Sequence, residues 1–280
     1  MKIIDCRVRP PLRGYLSMTW YRDTARRDRF MSQLGFRPPA SVSGQSITEL
    51  LKEMAAAGVV RAIMTGRFSQ TFGSVSNEDL IAITKEYPNH FLGVASVDPT
   101  DRTRAIQQIQ HAVAAGLKAV TIEPGSYPTP MYADDRRLYP IYAHCDEMSI
   151  PVFIMNGGNA GPDLSYSSPI PLDRVLAEFP HLKVVVTHGG WPWVNEILHL
   201  AFRRPNLFVS PDMYLVNMPG MDDYIRAANG FLADRFLYAS SYPLCPVKDY
   251  ADWFLALPIK PASMEKVVFR NAVELLDLRV

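Results

Sequence analysis

Long apolar runs, a glycine-rich phosphate turn, paired cysteines and an excess of either charge are all missing from this chain, and each absence removes a class of function. No uninterrupted apolar run approaches the ~18 residues of a membrane span, so no membrane partner is expected. The N-terminus lacks the basic, apolar and small-residue order of a secretory leader. Lys and Arg number 29 against 28 Asp and Glu, which provides no global field for nucleic acid or an anionic bilayer. The three cysteines, Cys6, Cys145 and Cys245, are widely spaced and form no CxxC pair, as suits a reduced, cytoplasmic protein. Low-complexity tracts and internal repeats are absent too.

What remains is a globular composition, 48% hydrophobic and 20% charged over 280 residues, enough for a large core. One domain over 1–280 is expected, because α/β barrels reach this length undivided. The ligand is expected to be small. The first strand carries the sharpest signal. It runs Lys2-Ile3-Ile4-Asp5-Cys6-Arg7-Val8-Arg9-Pro10, and residues two apart on a strand share a face, so Arg7 and Arg9 point the same way. Two guanidiniums at the end of a buried strand must reach solvent, pair with carboxylates or hold an anion. By the same alternation Cys6 points away from them, and Asp5 is read as structural, on the outer side with Ile3.

A long irregular stretch, 10–46, follows, with Pro-Pro pairs and a basic, aromatic middle around Trp20 to Arg27; a short helix is expected at 22–34. Loops of this length are lids or binding elements, or surface arms for a second subunit, which makes a homo-oligomer an expected partner. Beyond it the pattern becomes regular. Short apolar segments at 61–66, 91–97, 117–123, 151–156, 183–188, 207–210 and 235–241 alternate with helical stretches that begin near Ser46 or Thr48, Asn77, Arg102, Leu138, Leu172, Trp193 and Met221. Closing helices fill 246–278. With the first strand this makes eight βα units, the signature of a closed (β/α)8 TIM barrel. A doubly wound sheet is the alternative fold, but no glycine-rich turn follows the first strand. Such barrels work at the C-terminal ends of their strands, and these strands end in polar or charged residues.

Several segments together resemble the amidohydrolase-related family of metal-dependent-hydrolase-like barrels, whose members include decarboxylases and lactonases. They are Ile4 to Pro10, Pro151-Val152-Phe153-Ile154-Met155-Asn156-Gly157, Val184-Val185-Val186-Thr187-His188-Gly189-Gly190, Leu237-Tyr238-Ala239-Ser240-Ser241-Tyr242-Pro243 and Val268 to Leu276. The resemblance implies a hydrolase or carbon–carbon lyase. It also implies a divalent metal held by two histidines where Arg7 and Arg9 stand, by one where Met155 stands and by His188, with an aspartate where Ser241 stands. Arginine has no lone pair to coordinate and methionine is a poor ligand for zinc or manganese, so no metal and no other cofactor is expected. A relocated site built from Cys6, Glu123, His188 and Asp212 is the alternative, and a non-catalytic ligand-binding barrel is another.

His188 is the catalytic candidate, because it ends a strand before Gly-Gly-Trp and a free imidazole titrates near neutral pH; the competing role is a structural histidine in the barrel mouth. Arg7 and Arg9 are expected to hold a substrate carboxylate or to stabilise an oxyanion in place of the metal, or else to form ion pairs with Glu123 or Asp212. Arg67 adds an anion contact, and Glu123 is read as the counter-ion of the first-strand arginines. Asn156 and Ser241 could hydrogen-bond a ligand, with Trp191 and Tyr242 as walls. A cysteine nucleophile is a minor option.

Overall fold

The computed structural model describes residues 1–69 and 71–279. Seven strands form a single curled parallel sheet in chain order: β1 (Ile3–Asp5), β2 (Val59–Thr65), β3 (Phe91–Ser96), β4 (Ala119–Ile122), β5 (Val152–Met155), β6 (Val184–Thr187) and β7 (Leu207–Ser210). Parallel strands are covered on both faces, which is why they read as continuous apolar runs in the sequence. Helices cross back between successive strands, and their starts are chemically marked. Ser46 accepts a hydrogen bond from Glu49 N before Ile47–Ala57, Ser76 from Asp79 N before Asn77–Glu86, and Asp101 from Arg104 N before Arg102–Ala114. Gly58, at φ 76°, ends the first of these and turns directly into β2.

Alternation along the strands sorts the core into two clusters. Ile3, Ala62, Met64, Ala95, Val120, Ile154, Val186 and Val209 pack outward against the helices. Ile4, Cys6, Ile63, Val94, Ala119, Phe153, Val185 and Leu237 face inward, together with Ala272 and Leu275 of the last helix, Asn271–Leu275, and Leu276 just after it. The chain's last helix thus plugs the N-terminal end of the sheet with apolar side chains. Polar groups at the other end are left to form the site.

The segment expected as an eighth strand, Arg235–Ser241, does not form a ladder. It touches β7 through an isolated bridge between Phe236 and Val209, with Leu237 N donating to Val209 O at 2.9 Å. On its other side Cys6 N donates to Tyr238 O at 3.0 Å, and Val8 bridges Tyr242. Two of its own N–H groups are diverted. Tyr238 N donates to Val267 O in the closing helices, and Ser240 N to the Asp5 carboxylate at 2.9 Å. Ser241 then turns left-handed at φ 60°. A ladder needs those donors and an extended backbone, so pairing here stays piecemeal.

Asp5 is fully buried and accepts from both Ser240 N and Arg7 N, joining the first strand to this late segment. Burial raises its carboxyl to about 6, against hydrogen bonds from Ser240 and Arg7 that lower it. The stretch 10–46 carries helices Thr19–Arg22 and Thr24–Gln33, the second close to the helix expected there. No helix among the described residues is long and apolar enough to cross a membrane.

Candidate functional site

The site is built at the C-terminal strand ends, where regular structure stops abruptly. His188 immediately follows β6 at φ 64° and Asp212 follows β7 at φ 49°, both left-handed conformations that cost a non-glycine residue of order 1–3 kcal/mol. The residue after His188, Gly189 (φ 60°), is required by space as well as by torsion. A Cβ there would lie 2.7 Å from the Tyr224 hydroxyl and 2.9 Å from Pro211 Cα. The tight turns bring the two side chains together, with His188 Nδ1 2.9 Å from Asp212 Oδ2 and 3.1 Å from Oδ1.

Arg7 completes the cluster. Its Nη2 lies 3.3 Å from His188 Nε2, and its Nε 3.8 Å from Asp212 Oδ2. These partners assign the imidazole. A carboxylate only accepts, so Nδ1 carries the proton; a guanidinium only donates, so Nε2 presents its lone pair. The titration agrees with a neutral ring. Burial pushes the His188 pKa down, the cations Arg7 and Arg9 push the same way, and Asp212 opposes them without prevailing. Burial alone would raise the Asp212 carboxyl, but His188, Arg7 and Arg9 outweigh it and hold it below the usual carboxylate range.

Arg67 and Glu123 form a separate unit. Arg67 Nε and Nη2 donate to the two Glu123 oxygens at 2.7 and 2.8 Å, a bidentate pair with both side chains buried. Glu123 is therefore the counter-ion of Arg67, whereas the sequence reading had assigned it to the first-strand arginines. Much of the Arg67 fork expected to meet an anion is committed to this pair. Arg9 differs. Its Nη1 donates only to the backbone carbonyls of Ser241 at 3.2 Å and Tyr242 at 3.5 Å, and no carboxylate lies in ion-pair range of it among the described residues. It is 3% exposed, and burial, with repulsion from Arg7 and Arg67, brings its pKa down to about 9.

A narrow cleft of about 30 Å³ opens over these groups, lined by Arg9, Arg67, Met155 and His188 and by the aromatic rings of Trp20, Phe30, Phe72 and Tyr214. Of the other candidate residues, Ser241 and Tyr242 meet Arg9 through their carbonyls. The Ser241 hydroxyl is buried without a partner, as is the Asn156 Nδ2. Trp191 stands behind the wall, stacked on Tyr214 at 5.3 Å. Tyr242 is fully buried and does not line the cleft. Sequence reasoning missed Tyr214, whose ring meets His188 edge-on at 5.1 Å. A Cβ at Gly158 would fall 2.3 Å from the Tyr214 hydroxyl, so the glycine there makes the tyrosine's place. Trp20 and Phe30 come from the long stretch after the first strand, whose aromatic composition was the only signal for them. All three cysteines are buried and free, and burial pushes their thiols up, Cys145 to about 12, so none is an activated nucleophile.

The amidohydrolase family model matches residues 4–278, almost the whole chain. The chain belongs to the amidohydrolase family. Among solved structures, an uncharacterized TIM-barrel protein of Bordetella bronchiseptica is 52% identical over 99% of both chains, with a TM-score of 0.96. 2,6-Dihydroxybenzoate decarboxylase from Rhizobium shares the fold, with a TM-score of 0.72 at 16% identity over 99% of both chains. A curated relative, 2-amino-3-carboxymuconate-6-semialdehyde decarboxylase of Dictyostelium discoideum, is 27% identical over 152 residues, or 47% of this chain and 42% of the relative. The chain thus matches less than half the length of that relative.

A divalent metal of the kind the family resemblance implies does not fit the donors present here. At the four positions where the resemblance implies ligands, this chain carries Arg7, Arg9, Met155 and Ser241. Among the described residues no three His, Cys, Asp or Glu side chains converge. Cys6 lies in the inner apolar cluster and Glu123 is held by Arg67, so the relocated set is not brought together either. His188, the remaining ligand that the resemblance implies, has the Arg7 cation on its Nε2.

Proposed function

We propose that this protein is a carboxylate-processing hydrolase or decarboxylase of the amidohydrolase family that works without the divalent metal, in a barrel closed by the segment 235–242 between β7 and β1. The observation that carries the reading is Arg9. It is a nearly fully buried cation facing a cleft, with no carboxylate partner of its own, on the same wall as a His188–Asp212 pair. Leaving a charge buried and uncompensated is costly, and a ligand carboxylate removes the cost with charge-assisted hydrogen bonds. The aromatic walls suit a flat, unsaturated or aromatic body attached to that carboxylate.

His188 then serves as the proton carrier and Asp212 fixes its tautomer. In hydrolysis Nε2 takes a proton from water; in decarboxylation it first takes one from water and then gives it to the carbon that has lost carbon dioxide, the hydroxide left behind adding to carbon dioxide as hydrogencarbonate. In either case Arg7 must give up its contact with Nε2, and a bound anionic group offers Arg7 an alternative acceptor. Arg7 and Arg9 together supply fixed positive charge where relatives place a metal, without its Lewis acidity. A second reading, a ligand-binding barrel without turnover, is favoured by the same Arg7–His188 contact, which occupies the lone pair that a base would use.

The test is a panel of small aryl and unsaturated carboxylates, followed by NMR for product and by calorimetry for binding. Arg9→Met should abolish binding. His188→Asn should retain it while lowering turnover by about 10²–10⁴-fold, the usual worth of general acid–base catalysis. Turnover should survive dialysis against a chelator. Binding unaffected by Arg9→Met would sink the anchor, and restoration of chelated protein by zinc or manganese would sink the metal-free mechanism. Binding without turnover for every compound would leave the second reading.

A further inference from the structure

A second chamber lies beside the first, separated from it by Phe72 and Asn159, which line both. It has a volume of about 340 Å³ between the loops that follow β2, β4 and β5, and Thr71, Ser126 and Tyr127 contribute to its walls. The two chambers differ in charge. The first is set with Arg9, Arg67 and His188, whereas among the described residues lining the second there is no Lys, Arg, His, Asp or Glu. Its polar groups are hydroxyls and an amide. The Ser126 hydroxyl has no hydrogen-bond partner among the described residues, and burial pushes the Tyr127 phenol up, so it stays a neutral donor.

The walls of this chamber are braced. The loops after β4 and β5 lie backbone against backbone, such that a Cβ on Gly125 would come within 2.7 Å of Gly161 Cα. Tyr132 stacks on Tyr166 at 4.7 Å, and its hydroxyl hydrogen-bonds Ser165 at 3.0 Å, tying the same two loops at their rim. The divider is held from the other side, with Phe72 stacked on Trp20 at 6.3 Å and the Arg67 guanidinium 5.2 Å from its ring. A preformed, uncharged, partly polar space opening beside an anion anchor has the layout of a subsite for the remainder of a ligand whose acid group is already held.

We infer that the second chamber is a subsite for an uncharged, hydroxyl-bearing extension of the substrate, so that the ligand is a monocarboxylate longer than one ring with a neutral polar far end. This rests on the proposed anchoring of a carboxylate by Arg9. A second carboxylate at the far end would have to give up its hydration without a cation to receive it, whereas a hydroxyl can exchange water for Ser126 and Tyr127.

Calorimetric titration of the full-length protein with benzoate, para-hydroxycinnamate, a hydroxybiphenyl carboxylate and biphenyl dicarboxylate tests it. Benzoate reports the anchor alone. The better of the two hydroxyl-ended acids should bind at least roughly tenfold tighter than benzoate, and the dicarboxylate no tighter than benzoate. Thr71→Trp, which fills the chamber from an exposed loop position, should erase the gain and leave benzoate affinity unchanged. Ser126→Ala, a smaller change that keeps the fold, should remove several-fold of it. Hydroxyl-ended acids no tighter than benzoate, a dicarboxylate that gains equally, or a gain that survives both variants would overturn the inference. Failure of the anchor looks different, since benzoate and its extended relatives would then all bind Arg9→Met as well as the unaltered protein.

Discussion

Two buried arginines within one cluster have met opposite fates. Arg67 has a carboxylate locked onto its fork by two short hydrogen bonds, and Arg9 has two carbonyl oxygens and a cleft. Both are nearly inaccessible, so burial alone does not distinguish them. Charge compensation does. The first pair is complete within the protein and belongs to the architecture of the strand ends, whereas Arg9 has no carboxylate partner among the described residues, which is what the proposed anchoring role rests on. Arg7 lies between these cases, near Asp212 but with its best contact made to a histidine.

The contrast can be broken by removing its partners in turn. Glu123→Gln should have the largest effect, about 3–5 kcal/mol of lost stability in chemical denaturation, because it leaves the Arg67 cation buried without a counter-charge. If the loss were under about 1 kcal/mol, the pair would be worth no more than an exposed ion pair and the distinction would fail. Asp5→Asn probes a different buried carboxyl. With its folded pKa near 6 and an unfolded value near 3.9, the native state binds the extra proton between those limits. The stabilising contribution is therefore full below about pH 4 and lost as pH rises through about 6, a change of about 3 kcal/mol. The stability difference between the unaltered protein and Asp5→Asn should move by that amount across this window, and a flat difference would place the Asp5 pKa near its ordinary value. Arg9→Met should have the smallest effect on the ligand-free protein, neutral or stabilising by about 1 kcal/mol, since it deletes an uncompensated charge. A loss as large as that for Glu123→Gln would show that Arg9 is structural after all.

The parts of the molecule that could be read from the chain are those governed by local pattern. The helix Asn77–Glu86 and strand β7 have the bounds expected, because a serine cap and a short doubly buried strand write themselves into neighbouring residues. Alternation put Arg7 and Arg9 on one side and family order put His188 at a strand end, but the Arg7–His188 contact was not among the pairings expected. What alternation could not assign was partnership. Glu123 goes to Arg67 and Asp212 to His188 because of how four strand ends are spaced around the mouth, a distance no sequence interval encodes. The eighth segment failed for a similar reason, since its apolar pattern was strand-like while its donors were claimed by Asp5 and by Val267. Tyr214 and Phe72 lie on loops, where periodicity has nothing to say.

The Asp5–Ser240 hydrogen bond spans 235 residues of chain. During synthesis Asp5 is made 235 residues before its partner. Closing so long a loop carries most of its entropy cost before any contact repays it. The nascent protein therefore carries its two first-strand arginines long before the Ser241 and Tyr242 carbonyls that receive Arg9 exist. The seat of Arg9 is assembled late, so a fragment ending before Arg235 would carry both cations without the carbonyls that receive one of them.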